Sequence, residues 1–208
     1  MADYAPQVDK SHYGRSYRSK DRWLSYYYQL SLVRSQAPRS VLEVGPGEGI
    51  VTDALRRDGI RVVTCDIAED LQPDVVGSVT ALPFADGEFE LALAAEVLEH
   101  IQWQDVGAAL RELRRVSASR VVVSLPHPGW VFSFEIKLPL LPRFGFLFQV
   151  PFFWQEHRFN GEHYWELGKY GYPVRRFVAC AKDAGLTLVS THKYADDPVH
   201  RLFIFEKK

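Results

Sequence analysis

Apolar and polar positions divide this chain into short stretches of strand-like and helix-like pattern that alternate along most of its length. Val41, Leu42 and Val44 surround Glu43 in the pattern of a short buried strand, and Ile50 to Arg57 beyond it suits a helix. Ile60 to Cys65, ending on Asp66, and Phe89 to Ala94, ending on Ala95 and Glu96, are two further apolar strands. A helix over about Gln104 to Val116 sets Val106, Leu110, Leu113 and Val116 on one face. Arg120 to Leu125 is a β-branched strand stopped by Pro126. Pro173 to Ala184 reads as a helix, with proline in its first turn and Gly185 just past its end. Leu186 to Tyr194 and His200 to Glu206 are two final strands. Ahead of them all, Trp23, Leu24, Tyr27, Tyr28, Leu30 and Leu32 suit an amphipathic helix from Asp21 to Ser35, capped by Asp21 and ended by Pro38. Residues 1–20 are polar and expected to be irregular. Helices alternating with strands predict an α/β fold on a mainly parallel sheet.

Between the first strand and its helix lies Gly45-Pro46-Gly47-Glu48-Gly49. Glycine at every second position lets backbone approach a ligand closely, and the helix behind it points its first N–H groups into the loop. The dinucleotide fingerprint wants glycine at the sixth position, where Ile50 stands, which disfavours a nicotinamide cofactor. Asp66 follows Glu43 by 23 residues, near the spacing at which an acid after the second strand meets a ribose diol. A helix N-cap is the alternative role, but spacing and strand end together favour the ribose reading.

Composition narrows the range of partners. The 208 residues fit one domain; 47% are hydrophobic and 25% charged, ordinary for a globular protein. A net charge of −1 gives no case for nucleic acid, and no stripe of Lys and Arg with interleaved aromatics appears. Cys65 and Cys180 have neither metal nor disulfide spacing, and no secretory signal is evident, so a cytoplasmic protein is expected.

The string Glu43-x-Gly45-x-Gly47-x-Gly49, then Leu82-Pro83-Phe84, an Asp86-Gly87 turn, Phe89-Glu90-Leu91 and Glu96-Val97-Leu98-Glu99-His100, resembles the motifs of class I S-adenosylmethionine (SAM)-dependent methyltransferases, of the type 11, ubiquinone-biosynthesis-like group, over about Ser40 to Leu125. The resemblance implies a Rossmann-like, seven-stranded, mainly parallel sheet with helices on both faces and an antiparallel last strand. It implies a single domain over 1–208, with 1–38 a helical cap and 126–172 an aromatic insertion on the acceptor side. It implies SAM as cofactor and S-adenosylhomocysteine as product. By that carry-over Glu43, Gly45, Pro46 and Gly47 face the methionine and ribose part, and Asp66 holds the ribose hydroxyls. Ile67 lies against adenine, Ser78 and Val79 occupy the adenine edge, and Glu96 stands beside the sulfonium. Many relatives carry Asp where Ser78 stands.

The acceptor side is less marked. Pro128 to Trp154 is dense in Trp, Phe and Leu but broken by Pro139, Pro142, Pro151, Lys137 and Arg143, so it cannot span a bilayer. A lid over an apolar acceptor, a patch for a membrane or partner, extra core and a homodimer interface all fit it. Gly161 to Tyr172 gathers His163, Tyr164, Trp165, Glu166 and Tyr170 in a loop-like run, which suggests a site. His163 is the preferred base and His127 the second choice; His157, His192 and His200 are given no role. Glu96, Glu99 and His100, with a later His163, also match the ligand string of metal-assisted O-methyltransferases that the chain resembles. Acids capping a helix start explain the same string without metal, so a divalent ion is an alternative and not the expectation. The expected function is methyl transfer to a small or lipid-like acceptor, most readily a hydroxyl. The rival is a non-catalytic SAM-binding module that uses the aromatic insertion as a partner interface.

Overall fold

A computed structural model describes residues 4–7, 10–14, 17–141 and 144–207. Seven strands form one sheet: β1 (Ser40–Val44), β2 (Arg61–Asp66), β3 (Val75–Val76), β4 (Phe89–Ala95), β5 (Ser117–Pro126), β8 (Leu186–His192) and β9 (His200–Lys207). Their order is β3-β2-β1-β4-β5-β9-β8, with β9 antiparallel to both neighbours and the other pairs parallel. The expected fold class is therefore present, its antiparallel last strand included.

Helices cover both faces because each turns an apolar stripe to the sheet. On one face α3 (Trp103–Val116) buries Val106, Leu110, Leu113 and Val116, and α4 (Val174–Asp183) adds Phe177. On the other, α1 (Lys20–Ser35) contributes Leu32 and Val33, and α2 (Ile50–Arg57) contributes Val51 and Leu55. Among the described residues no helix is long and apolar enough to cross a membrane.

The first helix departs from its expected pattern. Its cap is Ser19, whose hydroxyl accepts from the Arg22 N–H, and not Asp21. Trp23 and Tyr27 are exposed, whereas Ser25 and Gln29 are buried and bonded to each other. The reason is position: Gln29 looks into a polar cavity described below, so this helix turns polar residues inward.

The stretch 128–154 is also more regular than its prolines suggest. It forms a two-stranded antiparallel hairpin, β6 (Gly129–Ile136) with β7 (Phe144–Pro151), outside the main sheet. Register sets Trp130 opposite Val150, Phe132 opposite Phe148, Phe134 opposite Phe146 and Ile136 opposite Phe144, so one face is apolar throughout. Pro139 sits in the connection, where no ladder hydrogen bond is needed, and Pro151 ends a strand. Pro142 and Arg143 lie outside the described residues.

Candidate active site

Three parallel strands end side by side, and each delivers one part of the site. After β1 the chain turns through Gly45, Gly47 and Gly49, all at positive φ. A Cβ on Gly45 would lie 2.4 Å from Val97 Cγ2, and one on Gly47 would lie 3.0 Å from Tyr13 Cε1. Glycine is thus required twice, by backbone conformation and by space. β2 ends on Asp66, whose Oδ1 accepts the Ala68 N–H at 2.9 Å. β4 ends at Glu96, a non-glycine residue at φ 56, a strained backbone of the kind that gathers at working sites. Its Oε1 accepts from Ser124 Oγ at 2.5 Å.

Two cavities open along these strand ends and share Tyr13, Gly45, Glu96 and His100. The first is lined by Asp66, Ile67, Ser78 and Val79, so it collects four of the residues that the motif resemblance assigned to adenosine. The second is lined by Glu43, Pro46, Gly47, Glu99, His163, Glu166 and His200. Glu43 is buried against Thr52, which donates to it at 2.5 Å. Burial raises the Glu43 carboxyl to about 7, against the opposing pull of that hydrogen bond.

His163 lines the second cavity. Its Nδ1 lies 3.1 Å from Glu166 Oε1, and Lys169 Nζ lies 2.8 Å from the other oxygen. Burial alone would raise Glu166, but the hydrogen bonds from His163 and Lys169 outweigh it and lower it to about 2. Its neighbours in the run 161–172 divide. Trp165 is core, its indole N–H shared between the Leu98 and Ile101 carbonyls, while Tyr170 points outward. The aromatic density of that segment therefore reports packing as much as a site.

His127, the second choice for a base, is placed apart from both cavities. Its ring faces Gly168, where a Cβ would lie 2.6 Å from Nε2, and its Nδ1 receives Lys193 and Arg201. Burial and those two cations lower it to about 3, so it cannot take a proton near neutral pH.

Glu99 and His100 follow Glu96 in a 3-10 turn, Leu98–His100. Carboxylate and imidazole atoms of Glu99, His100 and His163 come within 4.8 Å of one another. Glu99 is fully buried, and neither of its oxygens has a hydrogen-bond partner. Burial and adjacent Glu96 push its pKa well above the carboxylate range. The His100 Nδ1–H donates to Gln7 Oε1 at 2.7 Å, and burial beside His163 lowers His100 to about 4. Glu96, the fourth residue of that string, turns instead to Ser124 and stands 3.6 Å from His200.

Several lining residues carried no recognised signal. His200, held at 2.6 Å by Asp197, faces Glu96 across the second cavity. Burial opposes charge on it, but Glu96 and Asp197 outweigh burial and raise its pKa. The Asp197-x-x-His200 spacing was the available hint. Tyr13, Tyr17, Arg22 and Gln29 line the second cavity from the N-terminal part of the chain, and Arg18 pairs with Glu48 of the glycine loop at 2.7 Å.

Residues 42–123 match the family described as a methyltransferase domain. No curated protein matches the sequence. Among solved structures, the chain is similar to 1,6-didemethyltoxoflavin-N1-methyltransferase of Burkholderia thailandensis, bound to 1,6-didemethyltoxoflavin and S-adenosylhomocysteine. The two share 16% identity over 98% of this chain and 92% of that one, with a TM-score of 0.62. A TehB-like SAM-dependent methyltransferase from Corynebacterium glutamicum shares 17% over 90% and 95%, TM-score 0.57. Magnesium protoporphyrin IX methyltransferase from Synechocystis shares 13% over 90% and 80%, TM-score 0.57. At such identities the likeness is one of fold.

Proposed function

We propose that the chain, whose residues 42–123 match a methyltransferase-domain family, is an enzyme that moves a methyl group from SAM to a small or lipid-like acceptor, with a hydroxyl as the favoured target. The observation that carries this is the pair of joined cavities at the ends of β1, β2 and β4, with Glu96 between them. The cradle suits the cofactor: Gly45 and Gly47, both at positive φ, line it with bare backbone, and Asp66 offers a carboxylate in the adjoining cavity, able to accept from both hydroxyls of a ribose. Ile67, Ser78 and Val79 form the adenine side, and Glu43, Pro46 and Glu96 the methionine side.

When bound, SAM supplies a methyl on a sulfonium that is already a strong electrophile. The protein's main task is then alignment of the acceptor oxygen with that methyl, which the second cavity beside Glu96 favours. Ionised Glu166 fixes the His163 ring by accepting from Nδ1–H, which leaves Nε2 as the base for the acceptor's hydroxyl proton. Two of the neighbours of similar fold are named for small-molecule substrates, a toxoflavin precursor and a magnesium porphyrin. Calorimetric titration with SAM, followed by S-adenosylhomocysteine release across quinol, catechol and lipid acceptors, tests the assignment. NAD binding in place of SAM overturns it, and tight SAM binding without turnover leaves the interaction module.

A second reading adds a divalent cation on Glu99, His100 and His163, favoured by the two orphaned oxygens of Glu99. A buried carboxylate without partners is the kind of group that an ion satisfies. Equilibrium dialysis with Mn²⁺ is then expected to show one bound ion, lost in Glu99→Gln. No binding, together with chelator-resistant turnover, rejects the ion.

A further inference from the structure

We propose that the hollow between the β6–β7 hairpin and the end of the main sheet binds an oxyanion, a phosphate group, held by Lys193 and Arg201. The hollow has a volume of about 450 Å³. Leu147, Gln149 and Pro151, on one face of β7, wall it on the hairpin side. It shares no lining residue with either cavity of the candidate active site. Strand alternation explains the separation. Arg201 follows His200 on β9, and successive side chains leave a strand on opposite faces. His200 therefore turns to the second cavity and Arg201 away from it.

The polar groups of the hollow do not balance. His127 Nδ1 is met by Lys193 Nζ at 3.1 Å and by Arg201 Nε at 3.2 Å. An accepting imidazole nitrogen has one lone pair in the ring plane, so it satisfies only one of the two. The His127 carbonyl offers Lys193 a longer contact of 3.3 Å, but it already accepts from Gln149 Nε2 at 2.7 Å. Arg201 reaches one further acceptor, Thr191 Oγ1, at 3.4 Å. Among the described residues neither cation pairs with a carboxylate. Asp197, whose field reaches Lys193, is fully buried and bonded to His200 at 2.6 Å.

Two like charges thus share one neutral acceptor in a half-buried place, which an anion between them relieves. Burial and Arg201 pull Lys193 down to about 7, against the opposing field of Asp197. Loss of that proton would end the repulsion but leave the hollow charged, because a guanidinium keeps its proton at any working pH. The unused donors fix the class of ligand. An arginine fork offers parallel N–H groups to two oxygens of one group, and the lysine ammonium adds a point charge. No carboxylate lines the hollow to repel an anion. A phosphate held there touches β9, the segment after β8 and β7 at once, and so ties the hairpin to the sheet.

Thermal melting and calorimetric titration of the full chain with inorganic phosphate test this, below neutral pH so that Lys193 carries its charge. Sodium chloride at equal ionic strength is the control, because salt also screens two cations from each other. Phosphate a hundredfold above its dissociation constant is expected to raise the melting temperature by roughly 5–10 °C over that control. Phenyl phosphate separates the sources of the group. Tighter binding than inorganic phosphate supports a phosphorylated molecule whose apolar part lies on Leu147 and Pro151, and equal or weaker binding supports free phosphate. Lys193→Gln and Arg201→Gln should each weaken both ligands at least about tenfold, the scale of one lost charged hydrogen bond. In phosphate-free buffer each variant should melt no lower than the wild type, since either change ends the repulsion. Chloride that stabilises as well as phosphate overturns the proposal, as does phosphate binding that survives both substitutions. Variants that melt several degrees lower, in a chain that phosphate does not stabilise, make the two cations a structural prop for His127 and overturn it too. Every readout is of binding or melting, so the result stands apart from whether methyl transfer is found.

Discussion

Gly45→Ala is expected to weaken SAM binding at least about tenfold, with a modest loss of stability. Two costs add at this position. Gly45 sits at φ +70, where an L-residue pays roughly 1–2 kcal/mol. The new methyl would also lie 2.4 Å from Val97 Cγ2, closer than two carbons can stand, so Val97 must move. Val97 directly follows Glu96, itself at φ 56 and shared by both cavities. The displacement is therefore passed into the cavity that Val97 lines as well as into the core it packs against. A shift costing ~1.4 kcal/mol in the complex is the tenfold loss. Gly49→Ala is the control: φ is +78, yet a Cβ there meets nothing within 4 Å. It pays conformational strain alone, so its melting temperature should fall by about 2–4 °C per kcal/mol while SAM affinity stays near wild type. Equal titrations for Gly45→Ala and the wild type would remove the glycine loop from the cofactor site.

What was legible in the chain depended on whether the signal was local. α2 and the apolar face of α3 lie where periodicity put them, because a helix face is set by residues three and four apart. The order of glycine loop, Asp66 and Glu96 was also local, since each stands at the end of its own strand. α1 misled because its inward face meets a cavity, so Ser25 and Gln29 are buried and Trp23 is not. His200 was passed over because Glu96 is brought to it only by β9 inserting between β5 and β8, and the local Asp197-x-x-His200 spacing was not read as a signal. His127 was overvalued for the opposite reason. Its place just after β5 is that of a site residue, but the side chain turns back toward Gly168 and two cations. The prolines of 128–154 spoke against a bilayer span and said nothing against a hairpin: Pro139 falls in the connection and Pro151 at a strand end.

His163→Ala is expected to lower kcat by roughly 10² or more while SAM affinity stays nearly unchanged, the scale of a lost general base. The ring belongs to the second cavity and lines no part of the first, so cofactor contacts survive its removal. Glu166 is held ionised by His163 and Lys169, and Glu166→Gln should leave the ring in place but less well oriented, giving a smaller fall. The same loss in His163→Ala would follow if the imidazole held a cation, so a second variant is needed. Neither Glu99 carboxylate oxygen has a hydrogen-bond partner, and as a structural acid kept neutral by burial it should tolerate Glu99→Gln. A base at His163 then predicts near wild-type turnover in Glu99→Gln and resistance to chelator. A cation predicts that each single variant abolishes turnover and that the double variant loses no more than either alone, because all three groups act as one unit. Full activity in His163→Ala rejects both roles and transfers the search to His200, whose Nε2 faces Glu96 across the same cavity. In that case Asp197→Asn should disable the enzyme by freeing the His200 ring, and Glu166→Gln should not.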